Sequence, residues 1–424
     1  MLATSGEQDA YAVRRWVTLA ASTLAAMCCG FFYAWSVLSK PMMQMYGWTS
    51  AQVALAFTIL VAIPAMCALL AGKLQQYVKP SNLLLLAGIV LGLGTVLLSF
   101  ATTPGLLYAF AFVTGLGGMA YPGATMANLM RFFPDKRGLT SGVLTGGFGV
   151  GAMIWGPVTV LLIDRVGLVW SLRTIGIVFA VVIATCSRLV TVAPIGYAPR
   201  GWVSPVAMTA SGEEHAGVDW RRMLRTLFFW LLAVVFVLGV MSGMMITAHA
   251  SPIAQQKLGI SAAAAGAFVS YLALGMVAGK IIWGALSDRL GRVAVLLSVL
   301  GISVAALILL WLSNLYVVVV VGIFAVGLCY GGFVALMGPV TSETFGQKHF
   351  AVNFGIMYLS VAVASFGGPR LAATIMENEA GDYSRSFLVA AVLTGVGLLL
   401  AFVYAWSARR APVIRRESPE APAP

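Results

Sequence analysis

A chain of 424 residues that is 60% hydrophobic and 9% charged, with a mean hydropathy of +0.94, cannot surround itself with a polar surface in water. It reads as an integral membrane protein, and as all-α, because apolar runs of this length satisfy their backbone amides inside one helix. The net charge of +12 belongs with loops flanking those runs, so nucleic-acid binding is not expected.

A bilayer core about 30 Å thick takes about 20 apolar residues per helix. Twelve such runs are predicted, at 16–39, 51–74, 83–101, 105–133, 139–163, 168–190, 224–249, 261–286, 293–312, 315–340, 351–376 and 387–406. The first follows Arg14 and Arg15 as a signal peptide would, yet it reaches Pro41 without a small-residue cleavage site, so a retained helix is expected. The fifth is dense in glycine from Gly142 to Gly151, which suits close helix approach and hinging; no GK[ST] ending makes it a phosphate loop. All five cysteines (Cys28, Cys29, Cys67, Cys186 and Cys329) fall inside predicted helices, so neither a disulfide framework nor a CxxC metal site is suggested. No cofactor and no metal are expected.

Between the sixth and seventh helices, 191–222 is rich in Pro, Gly and Ser and carries Glu213, Glu214 and Asp219, which reads as a linker. The second half echoes the first at a shift of 212 residues, half the chain. Phe112, Gly115 and Leu116 map to Phe324, Gly327 and Leu328; Gly156 and Pro157 map to Gly368 and Pro369; Gly72 and Leu74 map to Gly284 and Leu286. The expected organisation is a six-helix bundle at 1–190, the linker at 191–222, a second bundle at 223–407 and a tail at 408–424. Of the 26 Lys and Arg residues, only Lys40, Arg165, Arg173, Lys257, Arg370 and Arg385 fall on the outer side, and Lys280 falls within a helix. The positive-inside rule then places both termini and the linker in the cytoplasm. Two repeated bundles imply alternating access to a site near the midplane where they meet.

Lys280 stands in the eighth run with no other charge between 261 and 286. Snorkelling to the headgroups is the plain reading of a lysine near a helix end. Its distance from Ser287, about 10 Å along the helix, and the tilt of helical side chains toward the N-terminus direct it instead toward the midplane. The fourteen acidic residues all map to loops, tails or helix ends, so no carboxylate is expected beside it. An unpaired buried cation costs several kcal/mol, and a substrate carrying its own negative charge is the obvious counterion.

The stretch Gly284-Ala285-Leu286-Ser287-Asp288-Arg289-Leu290-Gly291-Arg292 resembles the signature loop of the major facilitator superfamily, with Gly72-Lys73-Leu74 as its degenerate partner. The run Arg131-Phe132-Phe133-Pro134-Asp135-Lys136-Arg137-Gly138, with Lys280 three residues before Trp283, resembles the oxalate/formate antiporter family and its monocarboxylate-porter relatives. The resemblance covers the whole chain. It implies a major facilitator fold of twelve transmembrane helices in two six-helix bundles, and a gating role for Asp288, Arg289, Arg292, Arg131 and Arg137.

It also implies a substrate cage around Lys280 of Tyr33, Tyr121, Phe148, Tyr330 and Tyr358, whose rings wall off a small organic tail. The antiporters place a second lysine on the eleventh helix. Val361 takes that place here, which favours one carboxylate over two. The expected activity is secondary transport of a small monocarboxylate anion of the lactate, pyruvate or formate type, by proton symport or anion exchange, with no enzyme chemistry. His249 is a candidate for the proton. A dicarboxylate antiporter, a copper importer using Met241, Met244 and Met245, and a carboxylate sensor that does not transport stand as alternatives. The expected setting is a bacterial-type cytoplasmic (inner) membrane, with the lipid bilayer as partner and the chain as a monomer.

Overall fold

The computed structural model describes residues 5–74, 77–119, 125–194, 197, 199, 217–378 and 384–410, and among them the chain is helical with no strand. In order the helices are α1 (Ser5–Cys29), α2 (Trp35–Tyr46), α3 (Ser50–Leu74), α4 (Pro80–Leu98), α5 (Pro104–Gly117), α6 (Met126–Phe132) and α7 (Arg137–Leu189). Then come α8 (Trp220–Leu224), α9 (Leu227–Leu258), α10 (Ala262–Leu290), α11 (Arg292–Leu312), α12 (Tyr316–Phe345), α13 (Phe350–Asn378) and α14 (Ser384–Arg410).

Among the described residues, nine helices are long and apolar enough to cross a membrane. One of them, α7, holds two crossings, because Gly167 at φ 77° and ψ 167° breaks its 53 residues in two. Only glycine takes that conformation without strain. With α3 and the α5–α6 pair, the crossings reach the expected twelve. Large apolar side chains such as Leu93, Val181, Leu309 and Leu399 are exposed, as a surface that meets lipid requires.

Several boundaries differ from the sequence reading. The first run does not stay one helix: a 3₁₀ turn, Gly30–Ala34, separates α1 from α2. At Gly30 the backbone of α7 comes close, since a Cβ there would lie 2.5 Å from the Phe148 carbonyl oxygen. The helix expected to end at His249 runs to Leu258 and stops only at Gly259, in the left-handed conformation with φ 62°. The stretch 191–222, read as linker throughout, contains the start of α8, whose N-terminus Asp219 caps through the Arg221 amide. Asp288 and Arg289 lie in the last turn of α10 and not in a loop, because nothing breaks that helix before Gly291 at φ 88°.

Lipid tails are as apolar as leucine, so the helices cohere by close packing and polar links more than by hydrophobic burial. The repeat shows in that packing. Gly115 of α5 takes the Leu60 carbonyl of α3, and Gly327 of α12 takes the Leu272 carbonyl of α10, each pair 212 residues apart. Helix α7 uses two glycine faces: Gly147 and Gly151 receive α1 at Thr23 and Met27, while Gly138, Gly142 and Gly149 receive α10 at Gly284, the Lys280 carbonyl and Val277.

The end where α1 begins and α10 and α14 finish carries Arg15, Lys136, Arg137, Arg289, Arg292 and Lys348, and is termed the basic face. Here a buried cluster joins the halves, with Phe132, Phe133 and Leu144 packed among Phe333, Met337 and Phe345. Farther along α7, a Cβ on Gly156 would meet nothing within 4 Å. The two bundles are therefore pressed together at the basic face.

Candidate functional site

Lys280 is 6% exposed, and its Nζ donates to the Thr145 carbonyl of α7 at 3.0 Å. The Lys280 carbonyl lies at the level of Gly142, whereas its ammonium reaches Thr145 and comes 4.0 Å from where a Gly149 Cβ would stand. The side chain thus climbs away from the basic face by one to two turns of α7. Glycine at 149 leaves it room. The Thr145 hydroxyl is engaged elsewhere, donating to the Ser141 carbonyl at 2.7 Å. Among the described residues no carboxylate pairs with Lys280.

Phe148 stands three residues beyond Thr145, half-buried, with its ring 6.1 Å from Phe32 in a T-shaped contact. That contact sets it against the 3₁₀ turn of the first crossing. Tyr330 is 3% exposed; its neighbour Gly331 fits against the Lys280 amide, which fixes α12 at the lysine's level. The Tyr330 ring itself turns to α9, where a Gly243 Cβ would lie 2.7 Å away. Tyr358 is half-buried on α13, tilted against Phe354 at 5.7 Å. Val361 follows one turn later, also half-buried. Tyr121 lies outside the described residues, and so do the side chains of Tyr33 and His249, although their backbones belong to the 3₁₀ turn and to α9. Met245 is fully buried, and Met241 packs on Gly367 and Gly368, so these methionines fill helix contacts.

The basic face holds a second polar arrangement. Asp288 reaches across to the start of α7, its two carboxylate oxygens accepting from the amides of Gly138 and Leu139, each at 2.8 Å. A carboxylate on two free helix N–H groups is a charge-assisted cap at the positive end of the helix dipole. Arg292 braces it at 2.6 Å, donates to Ser287 Oγ at 2.6 Å and faces Glu343 at 3.5 Å. The Gln347 amide oxygen, oriented by its donors, accepts from Arg137 at 2.8 and 3.2 Å. Arg289 is exposed and Arg131 lines a surface cavity, so neither joins this cluster.

Three features escaped the sequence reading. Asp135 pairs with Arg15 at 3.1 Å while the Arg15 guanidinium lies 4.9 Å from the Phe133 ring centre. Asn128 donates to the Thr191 carbonyl at 2.8 Å and accepts from Ala193, and Asn353 donates to the Val218 carbonyl at 2.8 Å, so both linker ends are clasped. Two asparagines inside apolar runs were the available signal. Within the linker, burial raises the Tyr197 phenol above its ordinary value as the ring packs edge-on against Phe132.

The Major Facilitator Superfamily model matches residues 20–268 and 237–424. The chain belongs to the major facilitator superfamily. Among its relatives is the oxalate:formate antiporter of Oxalobacter formigenes, 28% identical over 98% of both chains. Monocarboxylate transporter 12 of Homo sapiens is 24% identical over 80% of this chain and 70% of its own length. The fold is shared with the human organic anion transporter MFSD10, at a TM-score of 0.69 and 17% identity, covering 92% of this chain and 99% of that one. This member of the superfamily is a multi-pass membrane transporter whose family and structural neighbours are transporters and not enzymes.

Proposed function

We propose that the protein is a secondary carrier for a small monocarboxylate anion of the lactate, pyruvate or formate type, working by alternating access around Lys280. The observation that carries this reading is a buried ammonium between the bundles whose bonded partner is an uncharged backbone carbonyl. A charge-assisted bond to a carboxylate is about twice as strong as one between neutral groups, so an arriving anion draws Lys280 off Thr145. That neutralises the site and unties α10 from α7 at the same moment, which couples loading to separation at the basic face. The empty lysine returns to the carbonyl.

Such a site favours exchange of one anion for another, or symport with a proton, for which His249 is the candidate. By the positive-inside rule the basic face is cytoplasmic in a bacterial-type inner membrane, so the state described is closed to the cytoplasm. Phe148, Tyr330 and Tyr358, with Tyr33 and Tyr121, serve as apolar walls. The names of two relatives, an oxalate:formate antiporter and a monocarboxylate transporter, point to the same substrate chemistry. Full-length similarity to the antiporter favours a dicarboxylate as the second reading; Val361 offers no charge to a second carboxylate, which would cost several kcal/mol unpaired. In proteoliposomes Lys280→Gln abolishes uptake of labelled monocarboxylate and Lys280→Arg keeps part of it. Full transport by the Gln variant refutes the assignment.

A further inference from the structure

At the basic face, away from Lys280, the turn between α3 and α4, the α6 helix, the start of the linker and the turn between α12 and α13 line a surface cavity of about 250 Å³, at which Lys79, Arg131 and Lys348 are exposed. Four basic residues line it. Lys79 and Arg131 come from the first half of the chain, Lys348 and His349 from the second. Among the described residues none of the four is paired with a carboxylate. Two other arginines of this face do have carboxylates: Arg15 has Asp135, and Arg292 has Asp288 and Glu343.

Two helix starts open on the same space. Helix α4 begins at Pro80, with Lys79 before it and no side-chain cap on its first turn. Helix α13 contributes Ala351 and Val352 from its own first turn. Both present the positive end of a helix dipole; Pro80 has no N–H to offer, so the first-turn amides that line the cavity are those of Ala351 and Val352 on α13. Asn128, which also lines the cavity, is not available to bind, because its amide holds the linker backbone. It serves as a wall.

We propose that this cavity is a second anion site, separate from the transport site, for a phosphate-bearing ligand, and that its occupancy clamps the basic face shut. The charge sets the ligand class. Three permanent cations and an imidazole around one small cavity repel one another when the bundles close, and a single carboxylate offsets only one of them. A phosphomonoester or pyrophosphate group brings two or more negative charges and several acceptor oxygens, which match both the basic side chains and the helix amides. The cavity has room for it: about 250 Å³ compares with about 30 Å³ for one water in the liquid. Because each half supplies two of the four basic groups, parting the bundles at this face splits the site. The ligand therefore binds the closed state and favours it by its differential affinity.

The test uses full-length protein in phosphatidylcholine nanodiscs, with inorganic pyrophosphate titrated at constant ionic strength so that screening stays fixed. The wild type gains a saturable rise of several degrees in melting temperature. The paired variant Lys79→Gln with Lys348→Gln loses most of that rise, and Lys79→Arg with Lys348→Arg keeps it. Nanodiscs containing phosphatidic acid identify the source of the phosphate. If that lipid stabilises the wild type over the Gln pair and removes the pyrophosphate response, the occupant is a lipid headgroup; if the response persists, it is a soluble anion. No stabilisation of the wild type by either probe, or equal stabilisation of wild type and Gln pair, overturns the proposal.

Discussion

Among the described residues, two polar links between α7 and α10 differ in how completely they are satisfied. At the basic face Asp288 accepts from two helix amides and is braced by Arg292, so the charge has partners on both bundles. Eight residues back along α10, about 12 Å at 1.5 Å per residue, Lys280 rests on a single neutral carbonyl. The first is built to hold the closed face together. The second is left short of a counter-charge, and a ligand gains most by acting there. In the proposed mechanism the small anion acts on the weaker link, and the stronger one sets how much separation costs.

Among changes that leave Lys280 in place, the largest effect is expected from Gly142→Val, whose side chain would meet the Lys280 carbonyl and stop α7 from closing on α10. Transport falls more than tenfold, and electron-spin distances between labels on the two bundles at the basic face lengthen; an unchanged closed distance would show that the Gly142 contact does not hold this face shut. Asp288→Ala comes next. It frees two helix amides and leaves Arg292 without its nearest carboxylate, a loss on the order of 2 kcal/mol for the closed state. The same distances then report a shift of roughly thirtyfold toward the open face.

Arg15→Gln removes an ion pair and a ring contact confined to the first half of the chain. It costs about 1 kcal/mol or less of stability in a thermal melt, with little change in the open–closed balance. Smallest is Thr145→Val, which keeps the carbonyl that Lys280 uses and removes only a hydroxyl bonded to Ser141. Its uptake stays within about threefold of wild type; a loss as large as that of Lys280→Gln would show that the hydroxyl, and not the carbonyl, is the partner.

The fold was legible because apolar length and glycine spacing are properties of residue type. The twelve crossings followed from run length, and the repeat from glycines that pack alike, as Gly115 and Gly327 do. Helix ends were less legible. The mixed stretch 250–258 and Ser287-Asp288-Arg289 looked like loops, yet each helix continues, with Ala250, Ile253, Ala254 and Ser287 still buried, until a residue such as Gly259 or Gly291 stops it. Lys280 stood out as a charge in an apolar run, but its partner did not, since a backbone carbonyl has no signature among side chains. Asp288 was legible as a charge at the end of an apolar run, while its donors, the Gly138 and Leu139 amides, are open to it only because α7 starts there. The aromatic residues were the least certain guide: an apolar ring serves a cage or a helix contact equally, and Tyr330 is turned toward Gly243.

The most direct test of the one-cation site is a melting-temperature series of the purified carrier against short mono- and dicarboxylates, for wild type and Lys280→Gln. Specific binding to the folded state raises the apparent stability with ligand concentration. With one cation in the site, a monocarboxylate stabilises the wild type, oxalate does so less, and the Gln variant responds to neither. Equal stabilisation of the Gln variant by the same monocarboxylate would contradict it.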